Sequence, residues 1–182
     1  ARAWTGRNAE QRQDRAVSDQ IGSESDMIDI EIPGFGRLQL EHLVLDYNGT
    51  LAIDGEPIEG VLGRLKHLAQ SLTVHVVTAD TFGKVKSRLT EIPCHIAILH
   101  PDNQAEGKRD YIQKLGFDHT ACIGNGRNDR LMLEASALGI AVIQAEGTAH
   151  DAISLADVVC PTILSALDLL TNPLRLVATL RT

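Results

Sequence analysis

The sequence predicts a three-layer α/β fold: a Rossmann-like parallel sheet with helices on both faces. Two observations carry the prediction. Short, continuous apolar runs recur at residues 43–45, 72–77, 96–99, 121–123, 140–143 and 158–160. Strands buried on both faces read this way, whereas half-exposed strands alternate. Between these runs lie segments with helical spacing, at 58–69, 82–89, 106–115, 129–138 and 149–155, and two more, 162–170 and 173–180, close the chain. Strands alternating with helices place each helix on a crossover of a parallel sheet.

Taken in order, residues 1–26 stand outside the pattern. They hold four arginines, five acids and three glutamines with no apolar periodicity, the composition of a disordered tail or of an appended extension. A signal peptide needs an apolar stretch that is missing, and a transit peptide should be poor in acids, whereas this segment has Glu10, Asp14, Asp19, Glu24 and Asp26. Met27 opens the patterned part, so the folded core is expected over residues 27–182. Ile28-Asp29-Ile30-Glu31-Ile32 and Leu38-Gln39-Leu40 alternate around Pro33-Gly34-Phe35-Gly36, which reads as a small N-terminal β-hairpin. The parallel strands and their helices follow.

Composition narrows the function. The chain has 182 residues, 43% hydrophobic and 23% charged, with a net charge of −7, as expected of a soluble globular domain. The acidic balance argues against nucleic acid, and 3% aromatics against a base-stacking platform. No apolar run reaches the length of a membrane span. Cys94, Cys122 and Cys160 form no C-x-x-C pair and sit in or beside apolar runs, so they read as small buried hydrophobes in a reducing, cytoplasmic compartment. The seven histidines form no ligand-spaced pair, and His75 reads as a satisfied core or face residue.

Ligands of open α/β sheets bind beyond the carboxyl ends of the strands. There the sequence places Asp46-Tyr47-Asn48-Gly49-Thr50, Thr78-Ala79-Asp80 and Gly124-Asn125-Gly126-Arg127-Asn128-Asp129, with Lys108 in the helix after the third strand. Glycines admit backbone amides to an anion, and carboxylates with neutral oxygens suit a hard cation such as Mg²⁺. A hairpin turning at Asn48-Gly49 would also fit the first segment alone, and Asn48-Gly49-Thr50 fits a glycosylation sequon. Thr78 alone would read as a cap and Lys108 alone as a solvated helix face. Asn128-Asp129 fits a helix N-cap.

In order, these four segments resemble the four motifs of the haloacid dehalogenase superfamily, over residues 43–143. They are most similar to its soluble group resembling the phosphorylation domain of P-type ATPases. The resemblance implies a Mg²⁺-dependent phosphohydrolase with Asp46 as the nucleophile that becomes an aspartyl-phosphate. Mg²⁺ would be held by Asp46, the Asn48 carbonyl, Asn125 and Asp129. The phosphoryl group would be bound by Asn48, Gly49, Thr78, Ala79 and Lys108, with Arg127 as an added positive charge.

Two residues depart from the family pattern. Asn48 stands where the phosphatases carry an aspartate that acts as general acid and base, and Asn125 stands where an anionic metal ligand is usual. Both point to a slow enzyme, or to a catalytically attenuated phosphate-binding or regulatory protein. A receiver-type phosphorelay domain shares an Asp, a Thr and a Lys, but in a different order along the chain. Only 27 residues separate Thr50 from Thr78 and 29 separate Thr78 from Lys108, too few for an inserted cap domain. The expected partner is a phosphorylated substrate, open to macromolecules because no cap selects for size; the apolar C-terminal helices leave two options open, packing on the sheet or on a second copy of the chain.

Overall fold

The structure, a computed structural model, describes residues 27–79 and 85–182. The expected tail at 1–26, Asp80 and the start of the helix expected at 82–89 lie outside the described residues. The chain opens with the hairpin β1 (Ile28–Ile32) and β2 (Gly36–Leu40). Gly34 takes φ +84° in its turn, a left-handed conformation that costs glycine little. Its inward residues Ile30, Ile32, Leu38 and Leu40 are buried.

Next come β3 (His42–Leu45), the short ribbon β4 (Ala52–Ile53) and β5 (Glu56–Pro57), α1 (Val61–Leu68), β6 (Thr73–Thr78), α2 (Val85–Arg88), β7 (Cys94–Ile98) and α3 (Gln104–Leu115). The chain continues through β8 (Thr120–Gly124), α4 (Arg130–Ala135), β9 (Leu138–Val142), α5 (His150–Leu155), β10 (Val158–Cys160), α6 (Ile163–Thr171) and α7 (Pro173–Leu180). Six strands form one sheet in the order β10-β9-β8-β3-β6-β7, every neighbouring pair parallel.

Side chains alternate across the sheet and define the three layers. Leu43 and Leu45 of β3 pack with the hairpin, α1, α6 and α7 on one face, while Val44 packs with α3, α4 and α5 on the other. Of the apolar C-terminal residues, Ile163, Leu167, Leu170 and Leu176 are buried in this chain's own core, and Leu174 stands 83% exposed. No single helix among the described residues is long and apolar enough to cross a membrane.

Two helices are shorter than their patterns suggest. α1 starts at Val61 because Gly60 is left-handed at φ +84° and interrupts the turn before it. α4 stops at Ala135, since Ser136 is extended and Leu138 opens β9. Apolar periodicity alone does not divide a helix from a buried strand only two residues further on. Gly139 permits the tight return: a Cβ there would lie 2.3 Å from the Leu133 carbonyl oxygen.

Candidate active site

The strand order reverses at β3: the chain runs from β3 through β6 to β7 on one side, then returns to β8 on the other. A crevice opens at the carboxyl ends beside such a switch point. Asp46 follows β3 directly, its amide donating to the Ile123 carbonyl of β8 at 3.1 Å. The chain then turns tightly, with the Tyr47 carbonyl accepting from the amides of Leu51 at 2.8 Å and Ala52 at 2.9 Å. The hairpin reading fails here, because β4 pairs with β5 and not with β3. The Tyr47 hydroxyl donates to the Gly55 carbonyl and fixes the β4–β5 ribbon over the turn.

Gly49 is required twice over. Its φ is +75°, and a Cβ would lie 2.4 Å from Asn125 Nδ2, so the first loop and the loop after β8 touch through it. The contact is reinforced by the Thr50 hydroxyl, which donates to Asn125 Oδ1 at 3.2 Å, while Asn125 Nδ2 donates to the Gly147 carbonyl at 3.0 Å. Both ends of the Asn125 amide are therefore engaged with protein. Oδ1 of Asn48 is different: it is buried and accepts no hydrogen bond from any described residue.

Lys108 lies in the second turn of α3 and is 1% exposed. Its Nζ donates to Asp46 Oδ1 at 2.6 Å and to Asp129 Oδ1 at 2.5 Å, drawing together the ends of β3 and β8. The other oxygen of Asp129 accepts from the amides of Asn125 at 3.0 Å and Gly126 at 2.8 Å. Asp129 thus does not cap α4 with its side chain, which instead accepts from the Gly126 amide and caps the short 3₁₀ turn Arg127–Asp129. It locks the loop before it. Asn128 joins this loop to the start of α3 by donating to Gln104 Oε1, and exposed Arg127 pairs with Asp151. Thr78 is buried at the end of β6, and Ala79 beside it is half-buried.

Burial pushes the Asp46 carboxyl up to about 6, against the pull of Lys108 and with the Asp129 charge adding to the rise. Burial alone would lower Lys108, but the two carboxylates outweigh it and hold the ammonium firmly charged. Burial also pushes the Cys122 thiol up to about 12, in keeping with an inert core residue.

The sequence reading missed Gln144. Its Nε2 donates to the carbonyls of Gly49 at 2.8 Å and Thr50 at 2.6 Å, while its Oε1 accepts from the Ile163 amide at the start of α6. The signal was its position just past the apolar run at 140–143, at the same sheet edge as the other groups. His75 is satisfied as expected: Nδ1 lies 2.9 Å from the Tyr111 hydroxyl and Nε2 lies 3.2 Å from His42 Nδ1.

Among the described residues, no three His, Cys, Asp or Glu side chains are grouped to hold a metal ion. The orphaned Asn48 Oδ1 is a neutral oxygen of the kind that, near the Asp46 carboxylate, suits a hard cation.

No known family profile matches the chain. An uncharacterised protein of Methanocaldococcus jannaschii is 51% identical over 59 residues, 32% of this chain and 63% of that protein, so the match spans less than two thirds of the relative's length. Three solved structures match over most of their length. The cobalt-bound deoxy-D-mannose-octulosonate 8-phosphate phosphatase of Haemophilus influenzae aligns with a TM-score of 0.61 at 16% identity, over 72% of this chain and 86% of that one. The 3-deoxy-D-manno-octulosonate 8-phosphate phosphatase of Moraxella catarrhalis, in complex with magnesium, phosphate and KDO, aligns at 0.57 and 18% identity, over 78% and 94%. A Legionella pneumophila protein assigned to the haloacid dehalogenase superfamily, subfamily III A, aligns at 0.58 and 18% identity, over 78% and 87%. The chain has the fold of the haloacid dehalogenase superfamily phosphatases, and among the described residues no cap domain interrupts it.

Proposed function

We propose that this chain is a Mg²⁺-dependent phosphohydrolase working through an aspartyl-phosphate on Asp46. The observation that carries the reading is the buried ammonium of Lys108, held between Asp46 and Asp129 at the switch point of the sheet. A charge placed there serves two ends. It keeps Asp46 anionic for attack, and it balances the negative charge that a phosphoryl group brings. Thr78, Ala79 and the Asn48 amide would bind the phosphoryl oxygens, whereas the expected Gly49 amide is taken up by the Ala52 carbonyl at 2.8 Å. The phosphatase-type solved structures with this fold support the same reaction class.

Mg²⁺ would be held by Asp46, the Asn48 carbonyl and the Asn125 side chain. When bound, it would neutralise charge between the nucleophile and the phosphate. Asp129, with all its described contacts to Lys108 and the loop amides, is assigned the role of orienting Lys108 and that loop. Because Asn125 Oδ1 accepts from the Thr50 hydroxyl, holding the cation would compete with that bond and weaken metal binding beyond the missing charge.

Hydrolysis of an aryl phosphate with Mg²⁺, and binding of beryllofluoride, test the reading. Both should be lost in Asp46→Ala, and a wild type equal to Asp46→Ala in both assays would refute it. A second reading follows from Asn48: a protein that takes up phosphate but turns it over too slowly to be an enzyme in practice. It predicts Asp46-dependent beryllofluoride binding without turnover. On either reading the protein is expected to act on phosphorylated partners, with no nucleic acid or membrane involved.

A further inference from the structure

We infer that this site accepts only phosphoryl donors whose leaving group departs as a stable anion, namely acyl phosphates, phosphoanhydrides and aryl phosphates, and not alkyl phosphate esters. The inference rests on the phosphohydrolase reading above and narrows its substrate class.

In the first step a bond forms between an Asp46 oxygen and phosphorus while the bond from phosphorus to the leaving oxygen breaks. That oxygen takes the electron pair. An alkoxide so released is nearly as basic as hydroxide, whose parent water ionises near ~15.7. A phenol ionises near ~10 and a carboxylic acid near ~4. An alkyl ester therefore needs an acid in the transition state, a contribution of about 10²–10⁴ in rate, whereas an acyl phosphate needs none.

None of the groups that meet around Asp46 is placed to give that proton. Asn48 is an amide, and its buried Oδ1 has only lone pairs to offer. Lys108 is committed to Asp46 and Asp129, whose charges hold its proton. Asp129 accepts on both oxygens, and the Tyr47 hydroxyl is turned away to the Gly55 carbonyl. Among the described residues no cap domain stands over the site to bring an acid.

The second step has the same gap. Water must bond to phosphorus as the bond to Asp46 breaks, and its proton passes to solvent because no base stands at position 48. Phosphorylation by an activated donor therefore outruns dephosphorylation, and the phosphoenzyme accumulates.

The test uses the full chain with Mg²⁺ and four donors: acetyl phosphate, 4-nitrophenyl phosphate, phenyl phosphate and ethyl phosphate. Wild type should show rates falling steeply with leaving-group basicity, ethyl phosphate at least ~10²-fold below the aryl donors, and an acetyl phosphate burst of about one equivalent. Asn48→Asp should raise ethyl phosphate turnover by about 10²–10⁴ and abolish the burst. If wild type hydrolyses ethyl phosphate as fast as the aryl donors, the inference is overturned and the phosphohydrolase reading stands. If no donor gives Asp46-dependent phosphorylation or turnover, that reading falls and the inference with it. The wild-type series decides the matter even where Asn48→Asp folds poorly.

Discussion

Replacing Lys108 by methionine isolates the charge at the centre of the site. Methionine fills most of the volume of the lysine stem, so the change removes an ammonium rather than opening a large cavity. Two carboxylates then remain buried, Asp129 fully and Asp46 with a side chain only 10% exposed, where before each lay within 2.6 Å of the same nitrogen. Breaking a buried pair from one side costs ~3–5 kcal/mol, because the surviving charge is left without water or partner. In a domain of this size that corresponds to a fall of roughly 6–20 °C in melting temperature. Urea unfolding followed by circular dichroism, in buffer with chelator, measures the loss directly. The second variant, Lys108→Met with Asp129→Asn, should recover at least half of it. The amide oxygen still accepts from Asn125 and Gly126, and its nitrogen can turn towards Asp46. A loss below ~1 kcal/mol, the range of exposed ion pairs, would refute the reasoning, as would a double variant no more stable than the single.

Three further outcomes follow from other parts of the fold. Burial, with His42 and His95 adding to it, lowers His75 to about 4 from 6.5, so its neutral form stabilises the native state fully above pH 6.5 and less as pH falls towards 4. Stability should drop by about 2 kcal/mol between pH 7 and pH 5 on this account, and His75→Gln should flatten the dependence seen in urea titrations at the two pH values. Gly139→Ala drives a Cβ to 2.3 Å from a backbone oxygen of α4 and should cost ~1–3 kcal/mol or more, read as a lowered melting temperature. Asn125→Asp replaces the donor to Gly147 by a carboxylate oxygen facing a carbonyl, and should lose about 1–3 kcal/mol in chelator. Millimolar Mg²⁺ should restore much of that loss and bind more tightly than to wild type, both measured by thermal unfolding against metal concentration.

The sheet was legible because each of its strands is a short apolar run, and helices on both faces leave no alternation to confuse the pattern. The gathering of Asp46, Thr78 and Asn125 at one edge of the sheet was legible for the same reason, since each stands just beyond such a run. What escaped the sequence is contact between loops. Gln144 is one polar residue among many in the primary structure, and only the approach of β9 to β3 across β8 lets its amide reach Gly49 and Thr50. The buried fork of Lys108 escaped in part. Its position near the site follows from the helix after β7, but its simultaneous bonds to two carboxylates depend on the pitch of α3 against the loop after β8. The end of α4 was lost to ambiguity, because Ala137 and Leu138 serve equally well as a helix face or a strand.

Formal charge ties Asn48 and Asn125 into one argument. With Lys108 charged and Asp46 and Asp129 ionised, the group carries one net negative charge. Acids at positions 48 and 125 would add two more. Near a protein surface two unit charges about 4 Å apart interact by roughly 4 kcal/mol, so each asparagine spares an incoming phosphate dianion a repulsion of that order. The same substitution removes a comparable attraction for Mg²⁺. A site with four acids must hold its cation before it can hold phosphate, whereas this one has less need of the cation and less hold on it. Lys108 then supplies a larger share of the positive charge, and its burial makes that share insensitive to salt. On the proposed assignment, the loss of a proton donor and the loss of a metal ligand act in the same direction. Both favour taking a phosphoryl group from a donor that leaves unaided, and both slow its release as phosphate.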